Sequence, residues 1–248
     1  MIVHACVGGR RLWARTIESR YGKGATTLWC LFFCRKGDVV LSNLWVDYER
    51  GPKDIERRSF DIIRETLSCY AIDERLLEIV VRVVHAGADF SLANLVESHN
   101  GAVEAARNAF LQGGRIFCDV EMLKAGISKT ECSRLGLEPV SYIHAPQVRE
   151  RAQSLEITRA MASVDLAVEE GIRIFAFGNA PTALFRLLEH VREGAAVDFV
   201  CGMPVGFVGA ADSKQALSLS SVPAILMRGP RGGSGLCAAC MNALLHMA

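Results

Sequence analysis

Read as pattern alone, the chain is an α/β protein with a doubly wound parallel sheet of five strands, flavodoxin-like, preceded by helices and by an N-terminal appendage. Three observations carry this. Two strand, glycine-loop, helix units follow one another between Ile172 and Lys214. From Gly113 onward, apolar runs alternate with helical periodicity, and every crossover between parallel strands has to be right-handed and cover a face. Residues 52–112 read only as helices.

In chain order, residues 1–45 contain the apolar runs Thr27–Phe33 and Val39–Trp45, separated by Cys34-Arg35-Lys36-Gly37-Asp38, which suits a hairpin turn. This segment reads as an appendage to a domain of residues 46–248. Ile55, Phe60, Ile62, Ile63 and Leu67 share one helical face; Leu76, Leu77, Val80, Val81, Val83 and Val84 mark a second helix, and Ala102 to Leu111 a third. Strand Arg115–Val120, a short helix near Met122–Ala125, strand Val140–His144 and a long helix Gln147–Glu170 come next. Ile172–Phe177 is a β-branched and aromatic run suited to burial on both faces, and Pro181, after Gly178-Asn179-Ala180, presets the first turn of a helix. Val197–Cys201 is the next strand, and Gly202 to Gly209 is a loop no regular element tolerates. Ala224–Met227 is the last strand, and the loop Arg228 to Gly233 leads into a closing helix with Ser234 as its N-cap.

Composition narrows the function classes. The 248 residues, half of them hydrophobic, carry a formal charge of +1, enough chain for one sizeable core. The balance of charges leaves no footprint for nucleic acid or an anionic membrane. No run approaches the roughly twenty apolar residues of a membrane span, and the start lacks the order of a secretory signal, so the expected location is the cytoplasm. Nine cysteines raise the question of a metal. Cys118 and Cys201 fall in apolar strands and Cys237 and Cys240 on one helix, as small core residues do, and Cys30 and Cys34 lack a second pair nearby; no metal is expected.

In an open parallel sheet, the glycine loops gather at the carboxyl ends of the strands. Gly202-Met203-Pro204-Val205-Gly206-Phe207-Val208-Gly209 is not the dinucleotide fingerprint, and no acidic residue follows to hold a ribose. Asn179, Thr182, Ser213, Lys214, Arg228 and Arg231 nevertheless make that edge rich in donors, so the ligand should carry several carboxylates or phosphates. Among the histidines, His190 suits a structural role near a helix C-terminus, His246 lies in the tail, and His99 and His144 stand next to elements. His85 closes an apolar helix, with Asp89 four residues on as a possible partner. A core histidine and a proton-transfer residue both fit that position.

The chain from about Asp47 to Leu245 resembles the precorrin-8X methylmutase family of cobalamin biosynthesis. The resemblance is carried by Ile55 to Arg64, Val84-His85-Ala86, Cys118-Asp119-Val120-Glu121-Met122, Thr158-Arg159, Gly178 to Phe185 and Gly202 to Ala211 with Ser213-Lys214. Gly87 stands where the family usually has cysteine, and Glu156-Ile157 replaces the usual Gly-Asn. The resemblance implies an isomerase that moves a methyl group from C11 to C12 of a tetrapyrrole, with no cofactor consumed, in a homodimer. It implies that His85 is the proton donor and acceptor and that Ser59 touches substrate; Arg159, Asn179, Thr182 and Lys214 are the expected substrate-binding residues beside them. A non-catalytic corrinoid-binding protein and a nucleotide or phosphate enzyme on the same sheet are the alternatives.

Overall fold

The computed structural model describes residues 2–7, 10–15 and 49–248, and the chain divides into two units, Met1–Glu49 and Arg50–Ala248. In the first, β1 (Ile2–Val7) and β2 (Arg10–Arg15) pair antiparallel, where the sequence reading placed no strands. The hairpin expected over Thr27–Trp45 lies outside the described residues.

The second unit opens with α1 (Pro52–Leu67) and α2 (Leu77–Gly87). Its six-stranded sheet comprises β3 (Val96–His99), β4 (Gly114–Cys118), β5 (Leu137–Val140), β6 (Ile174–Phe177), β7 (Phe199–Gly202) and β8 (Ala224–Met227), in the order β3-β8-β7-β6-β4-β5. β4 to β8 are parallel. Counted along the chain they lie in the order 2-1-3-4-5, the flavodoxin-like arrangement. A sixth strand, β3, joins antiparallel to β8 and was not expected: Val96-Glu97-Ser98-His99 is too short and polar to stand out by periodicity. His99 therefore ends a strand.

Successive strand residues face opposite ways, and each face is roofed. Ile116, Ile174, Phe199, Cys201 and Ile225 pack beneath α1, α2, α3 (Ala102–Leu111), α4 (Glu121–Gly126), α5 (Lys129–Leu135) and α10 (Ser234–Met247). Phe117, Phe175 and Phe177 pack on the other side, against α7 (Arg159–Glu169), α8 (Pro181–Arg192) and α9 (Ala210–Ser218). Each such side chain, fully buried, contributes about 1.5–3 kcal/mol. Cys118, Cys201, Cys237 and Cys240 are all buried in the first of these layers.

Two elements differ from expectation for physical reasons. The strand expected at Val140–His144 is instead Leu137–Val140. It contains Pro139, which lacks an N–H, and the sheet accepts it because β5 is an edge strand paired only with β4. The long helix expected over Gln147–Glu170 breaks into α6 (Pro146–Ser154) and α7. At the break Glu156 has φ +52°, a left-handed conformation costly for a side chain, and Thr158 restarts the helix by accepting from the Met161 N–H at 3.2 Å. Ser234 proves to be the first residue of α10, with Gly233 as its N-cap and no side-chain cap.

His190 has the structural role its position suggested. Its Nε2 lies 2.6 Å from Oδ1 of Asp165 on α7, which also accepts from Arg186 Nε at 2.6 Å. Burial would raise the Asp165 carboxyl, but these hydrogen bonds outweigh it and hold the group below its ordinary value.

Candidate active site

The chain order of the parallel strands reverses between β4 and β6, and the crevice at such a point is where doubly wound proteins hold phosphate. Here it is filled from within. Asp119, fully buried at the end of β4, accepts from the backbone N–H groups of Gly178, Asn179 and Ala180 at 3.1, 2.7 and 2.7 Å. Burial raises this carboxyl while the three amides pull the other way. The amides at the start of α8 are thus already satisfied. Gly178 is required by space: a Cβ there would lie 2.7 Å from the Ser234 Cα.

His85 sits in the last turn of α2, whose preceding residues Val80, Val81, Val83 and Val84 are buried. The buried stem fixes the helix, and the imidazole emerges exposed. Its ring meets Phe60 edge-on, centroids 5.1 Å apart, so α1 steers it through the residue next to Ser59. Arg82 and Arg64 lie over the same Phe60 ring at 5.3 and 5.7 Å. Asp89, the partner suggested for His85, instead bonds to Arg231 and accepts from the Ser91 N–H at 2.8 Å. Those bonds hold its carboxyl down to about 2.

Two hollows are lined by neighbours of this histidine, though not by His85 itself. Ala86 and Gly87 line one of about 380 Å³, with Leu92, Val205, the Arg231–Gly233 segment and Leu236. Phe60 lines the other, of about 410 Å³, with Lys53, Arg57, Arg64, Arg82, His246 and one acidic residue, Glu56. Arg57 and Arg64 are balanced by Asp54 and Glu78, whereas Lys53 and Arg82 have no carboxylate partner among the described residues. One hollow is rich in apolar surface and glycine, the other in cations.

The remaining expected residues fall into two further places. Thr182 Oγ1 lies 3.2 Å from Thr158 Oγ1, which puts Arg159, Thr182 and the exposed Asn179 together at the starts of α7 and α8; no hydrogen bond or ring contact among the described residues joins this group to His85. Lys214 is buried, and its Nζ donates to the Arg231 carbonyl at 2.6 Å. Burial brings its ammonium down to about 8. In this conformation it supports a loop. Phe60, Arg82 and Asp119 were not singled out as site residues. The signals available were an i, i+3 spacing for Arg82 and His85 and an acid at the end of a strand for Asp119.

Loops gathered at the carboxyl edge of a parallel sheet are where α/β proteins of this class hold their ligands. The profile described as precorrin-8X methylmutase matches residues 54–247, and the chain belongs to that family. It is 44% identical over 206 residues to the cobalt-precorrin-8 methylmutase of Salmonella typhimurium, covering 80% of this chain and 97% of the relative. Against the precorrin-8X methylmutase of a Sinorhizobium species the identity is 38% over 202 residues, covering 80% and 96%. A solved structure, the precorrin-8x methyl mutase of Thermus thermophilus, superposes with a TM-score of 0.74 at 37% identity, over 79% of this chain and 95% of that one. No helix among the described residues is long and apolar enough to cross a membrane.

Proposed function

We propose that this chain catalyses the migration of the methyl group on C11 of precorrin-8X, or of its cobalt form, to C12, giving hydrogenobyrinic acid or its cobalt form. The observation that supports this most is an exposed imidazole at a helix end whose chain neighbour Ala86 lines a glycine-rich, largely apolar hollow and whose ring partner Phe60 lines one with several basic side chains. A flat macrocycle ringed by carboxylates has the matching two-part character. Each hollow lies toward the small end of the roughly 300–1,000 Å³ of ligand sites, so such a ligand would span both.

In this reading His85 gives a proton to the conjugated ring, making C12 electron-poor, the methyl migrates within the molecule from C11 to C12, and the imidazole recovers the proton. Nothing is consumed. General acid catalysis contributes typically about 10²–10⁴-fold, and holding the methyl over its target supplies a positioning gain. Arg82 and Lys53 suit the carboxylate rim near His85, as do Ser59 on α1 and Arg159, Asn179 and Thr182 at the neighbouring helix starts. Mixing enzyme with substrate tests the reading. Isomerisation changes ring conjugation and hence the absorption spectrum, whereas a mere corrinoid carrier gives only small shifts. Parallel reactions with metal-free and cobalt-loaded substrate assign the physiological form.

Two further expectations belong to this reading. The protein is a homodimer in which residues 52–84 contribute to a two-fold interface, since Ile55 and Ile62 lie exposed one above the other on α1. Sedimentation at micromolar concentration should give the dimer mass, and a fully active monomer would refute it. Residues 1–45 are an appendage to a catalytic domain of residues 46–248, so a chain starting at Asp47 stays soluble and keeps turnover. Folded but inactive material, judged by circular dichroism and assay, would show that the appendage reaches the site.

A further inference from the structure

The loop between β8 and α10 is fastened on three sides. Its Pro230 carbonyl accepts from the Gly206 N–H at 3.1 Å, and the Gly233 N–H donates to the Met203 carbonyl at 2.8 Å. At Gly232 a Cβ would lie 2.2 Å from that same carbonyl oxygen, so the two loops touch backbone to backbone. Beneath it, Lys214 holds the Arg231 carbonyl. The third fastening is a side chain: the Arg231 guanidinium reaches the turn after α2, bonding the Asp89 carboxylate and, at 2.7 Å, the Ser91 hydroxyl. That turn begins four residues after His85 in the chain.

A fork of two bonds from one planar guanidinium sets direction as well as distance. The pair is exposed, with 46% and 35% of the two side chains open to solvent, and exposed pairs contribute little to global stability. What it does achieve is geometric, because Arg231 and the Ala86-Gly87 step, on two different segments, both line one hollow. We infer that Asp89 and Arg231 are positioning residues, a strap that sets the width of the hollow beside His85 and so the pose of the bound macrocycle. This rests on the methylmutase reading for its catalytic consequence, but not for its structural one.

The test compares Asp89→Asn, Arg231→Met and the double variant in the full chain. Asparagine keeps the shape and can still accept from the Ser91 amide, so it removes chiefly the charge facing Arg231. Each single variant should lower kcat by about ten- to a hundredfold while affinity for hydrogenobyrinic acid stays within about threefold, and the double variant should be no worse than the poorer single one, as expected of two halves of one device. Amide hydrogen exchange at Gly206 and Gly233, whose N–H groups bond the Pro230 and Met203 carbonyls, should rise in all three. Additive losses, or wild-type kcat in Asp89→Asn, overturn the proposal. So does a loss of product affinity in Arg231→Met that Asp89→Asn does not share, which would make Arg231 a direct ligand. Should the wild-type protein fail to isomerise precorrin-8X, the functional reading falls by itself. The exchange arm still decides the strap, and unchanged exchange in the variants would overturn it.

Discussion

His85→Ala is expected to abolish turnover, lowering the rate by about 10²–10⁴-fold, equivalent to about 3–5 kcal/mol of transition-state stabilisation, while product binding stays within a few-fold. A proton donor acts chiefly in the transition state, so its removal changes kcat and leaves ground-state affinity nearly intact. The variant should also fold normally. The imidazole is exposed at the end of its helix and its ring contact is with the partly buried Phe60, so truncation opens no cavity in the core. Turnover at the wild-type rate would remove His85 from the mechanism. A parallel collapse of product affinity would recast it as a binding residue.

Asp119→Ala should produce a large loss of stability. It strips the acceptor from three backbone N–H groups at once, and an unsatisfied buried donor costs about 1–3 kcal/mol. Allowing for partial relaxation and entry of water, the net cost is about 3 kcal/mol, a fall of roughly 6–12 °C in Tm for a unit of this size. Asp119→Asn should recover part of it, since the amide oxygen still accepts while the NH₂ meets donors. Thermal melts of the two variants check this, and an unchanged Tm for the alanine form would show that the β6–α8 loop holds itself.

Much of the sheet was legible in the sequence because its strands are short apolar runs bounded by glycine or a charge. Ala224–Met227 and the helix Ala102–Leu111 have the expected limits, and Ile174–Phe177 is trimmed by two residues. Where burial did not dictate the pattern, the reading failed. β3 and α5 are too short and polar to declare a period, and the break before α7 depends on Glu156 accepting a left-handed backbone, which composition does not reveal. His85 could be located as the exposed end of an apolar helix, yet its surroundings could not. Asp89 looked like its partner because it was near in sequence, whereas Arg231, 142 residues away, takes that carboxylate. The motif around Lys214 likewise gave no sign that its ammonium donates to the Arg231 carbonyl. Contacts between distant segments leave no trace in local periodicity, which is why the scaffold was more readable than the site.

The sheet's two borders bear on how copies of this protein can meet. A bare strand edge is a template for another chain, and proteins guard against this with brevity, charge or proline. Here both borders are guarded. β5 offers four residues interrupted by Pro139, and β3 offers four, with Glu97 held by Arg228 and His99 beside it. Ribbon-to-ribbon growth into a continuous intermolecular sheet therefore gains few hydrogen bonds per added molecule. If copies of the folded unit associate, its helical surfaces are the expected place, and a concentrated folded sample should form closed oligomers in preference to fibrils.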